Sequence, residues 1–342
     1  MSLRQLEVFL PQENAHEIEK VLEDQSIRGI WQVHLWADRS IVKILMSSQE
    51  AEAAIDRIQR RFSDLEGFKI VVMAVEAIIP RPELPAETPP DLTEIKPDVE
   101  LDPQRSRINR HELYEDVNRA VGLTANHLLM VLLSTIIAAI GLLRNEETII
   151  IGAMVIAPLL GPNMALSLAT TLADMSLAKK ALKVGSIGIS LALGFSICVG
   201  FFIPVSLQIP QIASRTSVHV SDVILALASG IAGAFSFTSG ITNAIVGVMV
   251  SVALLPPVVT FGMLLGSGQW EAAVGSLLLV LTNLICLNLA GVLTFSVQNI
   301  RPSNWWEVPK AQKTTNAAYF IWFGLLSALV VSILWWKNFH MA

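Results

Sequence analysis

Residues 3 to 10 set Leu3, Leu6, Val8 and Leu10 among polar neighbours with the near two-residue period of a half-buried strand, and Pro11 ends the run. The period then changes, and over residues 13 to 24 Ile18, Val21 and Leu22 share one helical face. Two strand-like runs follow, Ile30 to Trp36 and Ile41 to Met46, joined by the polar turn Ala37, Asp38 and Arg39, which predicts a hairpin. Ser47 and Glu50 have capping-box spacing ahead of a helix with Ile55, Ile58, Phe62 and Leu65 on one side, and Phe68 to Ile79 closes the series as a strand. The predicted order is βαββαβ, a ferredoxin-like α+β unit over residues 1 to 80. Trp31 and Trp36 should face opposite sides of their strand, so one of them marks a candidate partner surface.

The pattern breaks at residues 81 to 104. Prolines 80, 82, 85, 89, 90, 97 and 103 with seven intervening acids give a composition that cannot bury a core, and we read the segment as an extended linker. Residues 105 to 126 carry Ile108, Leu113, Val117 and Val121 among alternating charges, which predicts an amphipathic helix on a membrane surface. Beyond it lie seven uncharged runs long enough to span a bilayer: about 127 to 143, 148 to 173, 182 to 204, 222 to 237, 242 to 265, 271 to 297 and 318 to 336.

An internal repeat organises these runs. Shifted by 95 residues, 127–162 matches 222–257 at eleven positions, including Ser134/Ser229, Gly152/Gly247, Met154/Met249 and Pro162/Pro257. We take 127–217 as the first repeat, 218–300 as the second, and 301–342 as an inner loop with a last span. Three helices per unit is an odd number, so the second copy is expected to enter from the opposite side, the inverted-repeat plan of secondary transporters. Pro158, Gly161 and Pro162 should interrupt the middle helix of the first unit, and Pro256 and Pro257 that of the second, because proline lacks a donor and leaves the carbonyl four residues back unpaired. The candidate solute path comprises these breaks with Asn163, Ser239, Thr242, Asn243, Asn283 and Asn288. Ser167, Thr170, Thr171, Ser236, Thr238 and Thr282 could share it, although such hydroxyls usually bond their own helix.

Composition agrees with the pattern. Hydrophobic residues make up 53% and charged residues 15% of 342, too apolar for one water-soluble domain. Residues 127 to 342 hold nine Lys and Arg against six Asp and Glu, and residues 1 to 126 hold 15 against 23. The acidic N-terminal part is therefore not expected to bind nucleic acid. No charged residue or histidine lies between Asp222 and Glu271, within 148–173 or within 184–214, which argues against a proton relay in the membrane. We find no Ser/His/Asp set, no zinc spacing and no Walker loop, and expect neither an enzyme nor a cofactor or metal. Cys198 and Cys286 fall in apolar runs and are expected to be buried reduced thiols.

The run Leu133 to Leu143 followed by Ile-Gly-Ala-Met-Val-Ile-Ala-Pro-Leu-Leu-Gly-Pro (151–162), with the lead-in Arg107 to Val117, resembles an uncharacterised hydrophobic-domain family of prokaryotic membrane proteins, domain of unknown function 389. The likeness covers about residues 105 to 300 and transfers no substrate residue. The residues 1 to 80 resemble the ferredoxin-like extension of many members.

The expectation is thus a multi-pass inner-membrane homo-oligomer whose partners are the bilayer and a small polar or anionic solute, moved by a transporter or channel that the cytoplasmic N-terminal domain regulates. A membrane sensor or scaffold, or a lipid-handling protein, would use the same helices. Lys179, Lys180 and Lys183, and Arg301, Lys310 and Lys313, fall in inner loops only when the N-terminus is cytoplasmic. A reporter fused to the N-terminus should therefore remain cytoplasmic and one fused after Ala342 should be exported; both ends on one side would mean an even number of spans.

Overall fold

The computed structural model describes residues 3–35, 38–75, 110–239 and 243–300, with 320–325, 327–328 and 331; the linker and most of the last span lie outside the described residues. The chain divides into two compact units, Met1–Leu113 and Tyr114–Ala342.

In the first unit β1 (Leu3–Pro11), β2 (Gly29–His34), β3 (Arg39–Ser47) and β4 (Lys69–Val75) form one antiparallel sheet in the order β2-β3-β1-β4. Helices α1 (Glu17–Val21) and α2 (Ser48–Phe62) cover one face, where Leu6, Val8, Val42 and Ile44 pack on Ile18, Ile55, Ile58 and Phe62. This is the strand order of a ferredoxin-like split βαβ unit. The Ser47 hydroxyl caps α2, accepting from the Glu50 amide at 3.3 Å and donating to the Glu50 carboxylate at 2.7 Å. Helix α3 (Arg110–Ala120) follows the linker. Its Arg110 donates to Asp56 at 2.7 Å, and His111 stands 3.5 Å from the same carboxylate. Burial alone would push the Asp56 carboxyl up, but the hydrogen bonds from His111 and Arg110 and the charge of Arg110 hold it below its ordinary value.

The second unit is helical: α4 (Ala125–Arg144), α5 (Glu147–Ile156), α6 (Leu160–Leu172), α7 (Met175–Phe202), the short α8 (Pro210–Ala213), α9 (Val220–Ser239), α10 (Asn243–Gly266) and α11 (Trp270–Val297). Helices α4, α7, α9 and α11 are each long and apolar enough to cross a bilayer, and α5 with α6 makes a fifth span if that bent pair counts as one. The chain is thus a polytopic membrane protein with four or five such spans among the described residues, where the sequence pattern predicts seven. One predicted span coincides with α10, and another, 318–336, lies largely outside the described residues.

Small residues hold these helices together, since lipid offers no hydrophobic drive for one apolar helix to leave it for another. A Cβ added to Gly200 of α7 would lie 2.0 Å from the Met263 carbonyl oxygen of α10, and one added to Gly266 of α10 would lie 2.1 Å from that of Ile197. Gly262 sits against Leu193 and Ser196, and Gly266, one turn on, against Ile197 and Phe201, so α7 and α10 run in the same direction. The hydroxyls of Thr135, Thr170, Thr171, Ser196, Thr282 and Thr294 each donate to a carbonyl four residues back, as expected of hydroxyls in lipid. Cys286 is buried, but Cys198 is exposed, which corrects the expectation for that thiol. The buried stripe of α7 runs through Gly188, Ala192, Ser196 and Gly200, and residue 198 points half a turn away from it.

The α7–α10 approach gives a direct stability test. Gly200→Ala should lower the unfolding midpoint of the detergent-purified protein, at a cost of about 1–3 kcal/mol, whereas Gly194→Ala, with nothing within 4 Å of its added Cβ, should not lower it. Equal shifts in scanning fluorimetry would argue against the close approach.

Candidate functional site

The interruption predicted in the first repeat is present. Ala157 precedes Pro158, whose ring disfavours helical geometry at the residue before it, and Ala157 takes the extended values φ −67° and ψ 119°. Helix α5 stops there, α6 restarts at Leu160, and the pair is bent by 52°. Pro162 then falls in the first turn of α6, where a missing amide costs little. Gly161 lets the backbone of α3 come close: a Cβ there would lie 2.7 Å from the Ala120 carbonyl oxygen.

Side chains donate to the carbonyls around the break. The Leu159 carbonyl accepts from the Asn163 amide at 2.8 Å, and the Ala157 carbonyl accepts from its own turn and from the Ser251 hydroxyl of α10 at 3.2 Å. Asn288 of α11 reaches the same place, its amide donating to Asn163 Oδ1 at 3.1 Å and to the Leu284 carbonyl at 2.9 Å. The Ser167 hydroxyl lies 3.1 Å from the Asn163 carbonyl and 3.2 Å from that of Asn288. Asn163, Ser167 and Asn288 are all buried, so three neutral polar side chains from α6 and α11 form one cluster beside the break.

In the second repeat the predicted interruption is absent: α10 continues from Asn243 to Gly266 through Pro256 and Pro257. Its physical basis is a substitute donor. Pro257 cannot serve the Ala253 carbonyl, and the Asn283 amide of α11 donates to that carbonyl instead at 2.5 Å. Asn283 and the two prolines thus form a separate group from the Asn163 cluster. Ser239 is half-buried at the end of α9, Thr242 lies outside the described residues, and Asn243 begins α10 with its side chain outside them.

Ser251 was not among the sequence candidates, because a lone serine in an apolar run carries no signal until its neighbour is known. Among the buried side-chain atoms without a hydrogen-bond partner in the described residues are Asn283 Oδ1, Thr260 Oγ1 and Ser229 Oγ of the helical unit. No group of three His, Cys, Asp or Glu suited to a metal occurs among those residues. At the rim, the Tyr114 hydroxyl of α3 donates to Asp174 at 2.7 Å, and burial together with that carboxylate pushes its pKa up to about 12. These neutral amides and hydroxyls can donate and accept hydrogen bonds and carry no charge.

An apolar multi-helix unit following a ferredoxin-like unit defines a polytopic membrane protein with an N-terminal α+β extension. Comparison with known proteins places it further: a family model, Domain of unknown function (DUF389), matches residues 154–289. The uncharacterized protein MJ0678 of Methanocaldococcus jannaschii is 33% identical over 341 residues, covering 98% of this chain and 100% of that protein. The chain belongs to the DUF389 family. No solved structure matches it.

The pairing of Asn283 with a proline-exposed carbonyl predicts a coupled mutant cycle. Asn283→Leu should cost about 1–2 kcal/mol in an otherwise native chain, and much less in a Pro257→Ala background, where residue 257 regains an amide for Ala253. Equal losses in both backgrounds, read from unfolding in detergent, would separate Asn283 from the proline.

Proposed function

We propose that the protein is a membrane transporter or channel for a small polar or anionic solute, with the N-terminal unit on the cytoplasmic side regulating it. A pair of exchanged contacts carries the reading. Ser167 of α6 meets the site of Gly291 on α11, and Ser196 of α7 meets the site of Gly262 on α10, each with an atom 2.5 Å from the added Cβ. The 95-residue shift turns 167 into 262 and 196 into 291, so these are one contact seen from both copies, as a two-fold axis requires. The same shift carries the bounds of α4 onto α9 and of α7 onto α11, and the left-handed residue Ala173 onto Gly268.

Direction follows from packing. With α7 parallel to α10 and the intervening hairpins antiparallel, α4 and α9 point opposite ways. We read this as an inverted repeat whose axis lies in the membrane plane, the plan on which alternating access is built.

The polar cluster breaks that symmetry, because the counterparts of Asn163 and Asn288 are Val258 and Leu193. One polar site in a duplicated frame suits a solute bound near the crossing of the copies. The unpaired amides at the start of α6 carry partial positive charge, and no carboxylate of the described spans competes there, which favours an anionic or dipolar solute over a cation. The buried Thr260 hydroxyl and Asn283 carbonyl oxygen leave further hydrogen-bonding capacity.

A ligand-sensing scaffold is the second reading, and a groove of about 380 Å³ in the N-terminal unit favours it, with Phe68, Ile70 and Val72 as an apolar floor and Lys69 and His111 at its edge. Stopped-flow light scattering on reconstituted liposomes separates the two. Challenged with chloride, formate, phosphate, glycerol and urea, protein-bearing vesicles should equilibrate at least one solute about tenfold faster than empty ones, a barrier change of about 1.4 kcal/mol. Asn163→Leu with Asn288→Leu should abolish the gain in a protein that still elutes as native. Rates equal to empty vesicles across the panel would leave the scaffold.

A further inference from the structure

We infer that the helix-free face of the N-terminal sheet is the surface through which two copies of this chain associate, stacked about a two-fold axis that runs along the strands between β1 and β3. Helices α1 and α2 lie on the opposite face, over Leu6, Val8, Val42 and Ile44. The alternate residues of the same strands point the other way, and there Trp31 is 52%, Val33 40%, Val71 40% and Met73 38% exposed. Among the described residues nothing covers this face. Four large apolar side chains on it are not a scatter of surface hydrophobics but a patch, and a patch of this kind marks an interface.

The strand order supplies the self-complementarity. Because it reads β2-β3-β1-β4, the midline of the sheet falls between β3 and β1. A two-fold axis along that midline sets β1 over β3 of the other copy and β2 over β4. The register then decides what meets what: Glu7 pairs with Lys43, Lys43 with Trp31, and Glu7 with Val71, so all four stand at one level across the sheet. Within one copy Lys43 and Glu7 are already 2.8 Å apart. Rotation places each opposite its complement on the second copy, closing a square of two positive and two negative charges. The same operation lays Trp31 on the partner's Val71, and Met73 over Gly29, which has no side chain.

Charge distribution selects a copy of the chain over a membrane as occupant. Residues 3–75 carry nine Lys and Arg against twelve Asp and Glu, and alternation places Glu7, Lys43, Lys69 and, at the start of β3, Arg39 on the bare face, where Arg39 donates to the Gly67 carbonyl. An anionic bilayer surface calls for a cluster of about four to eight basic residues, whereas of the three here Lys43 is already paired with Glu7. Four strands about 4.8 Å apart and six to nine residues long give a footprint of roughly 500 Å² per copy before side-chain relief, at the lower end of a specific pair.

Site-directed cross-linking of the full chain tests this. In a Cys198→Ser, Cys286→Ser background, a Trp31→Cys chain and a differently tagged Val71→Cys chain are co-expressed and treated in the membrane with a short bis-maleimide. A covalent heterodimer is expected, and a Trp31→Cys chain paired with a Glu19→Cys chain, whose cysteine is on α1, should give at least about tenfold less. Glu7→Lys should reduce the Trp31/Val71 product by about tenfold, and Glu7→Lys with Lys43→Glu should restore it. Equal yields from the two pairs, or a product indifferent to the single charge swap, would overturn the proposal. So would failure of the double swap to restore product while the chain still elutes as native.

Discussion

In the bilayer core a backbone carbonyl without a partner costs several kcal/mol, because no water is present to replace the missing donor. The arrangement of α5, α6, α10 and α11 follows from that constraint. Pro257 strands the Ala253 carbonyl, which Asn283 of the neighbouring α11 satisfies, and at the break between α5 and α6 the Ala157 carbonyl accepts from Ser251 of α10 and that of Leu159 from Asn163 of α6 itself. The two repeats answer the same problem differently. In the first the chain yields, bending by 52° with a local asparagine stabilising the break. In the second a donor from the neighbouring helix lets α10 stay continuous through Pro256 and Pro257.

Close packing and polar repair depend on each other. Asn283 reaches Ala253 because α10 and α11 lie side by side, and glycines let neighbouring pairs close in likewise, Gly200, Gly262 and Gly266 between α7 and α10, Gly230 between α9 and α11, and Gly291 beneath Ser167 of α6. A methyl group at these glycines would separate the helices. The glycine-rich stretches are therefore structural in the same sense as the asparagines, one setting the distance and the other using it.

The N-terminal unit is built differently, as an antiparallel sheet with polar and apolar residues alternating along its strands. Its sheet needs only one face covered, and α1 and α2 cover it through an aliphatic core with Phe62. Among the described residues no helix covers the second face.

The hydrophobic period determined the βαββαβ order and the membrane class, the Ser47 and Glu50 spacing the capped start of α2, and identities at a 95-residue shift the repeat, since each is a local or self-referential property of the chain. The break at Pro158 was legible for the same reason: proline acts on its own backbone and on the residue before it. The intact α10 was not, because the rescuing donor is Asn283, about thirty residues away in sequence, and only packing brings it to Ala253. Asn163 and Asn288 were both visible as costly residues in lipid, yet their pairing across 125 residues is a fact of tertiary structure. Ser251 and the exchange of Ser167–Gly291 with Ser196–Gly262 were hidden likewise, since serine and glycine carry meaning in a membrane helix only once the opposing helix is placed.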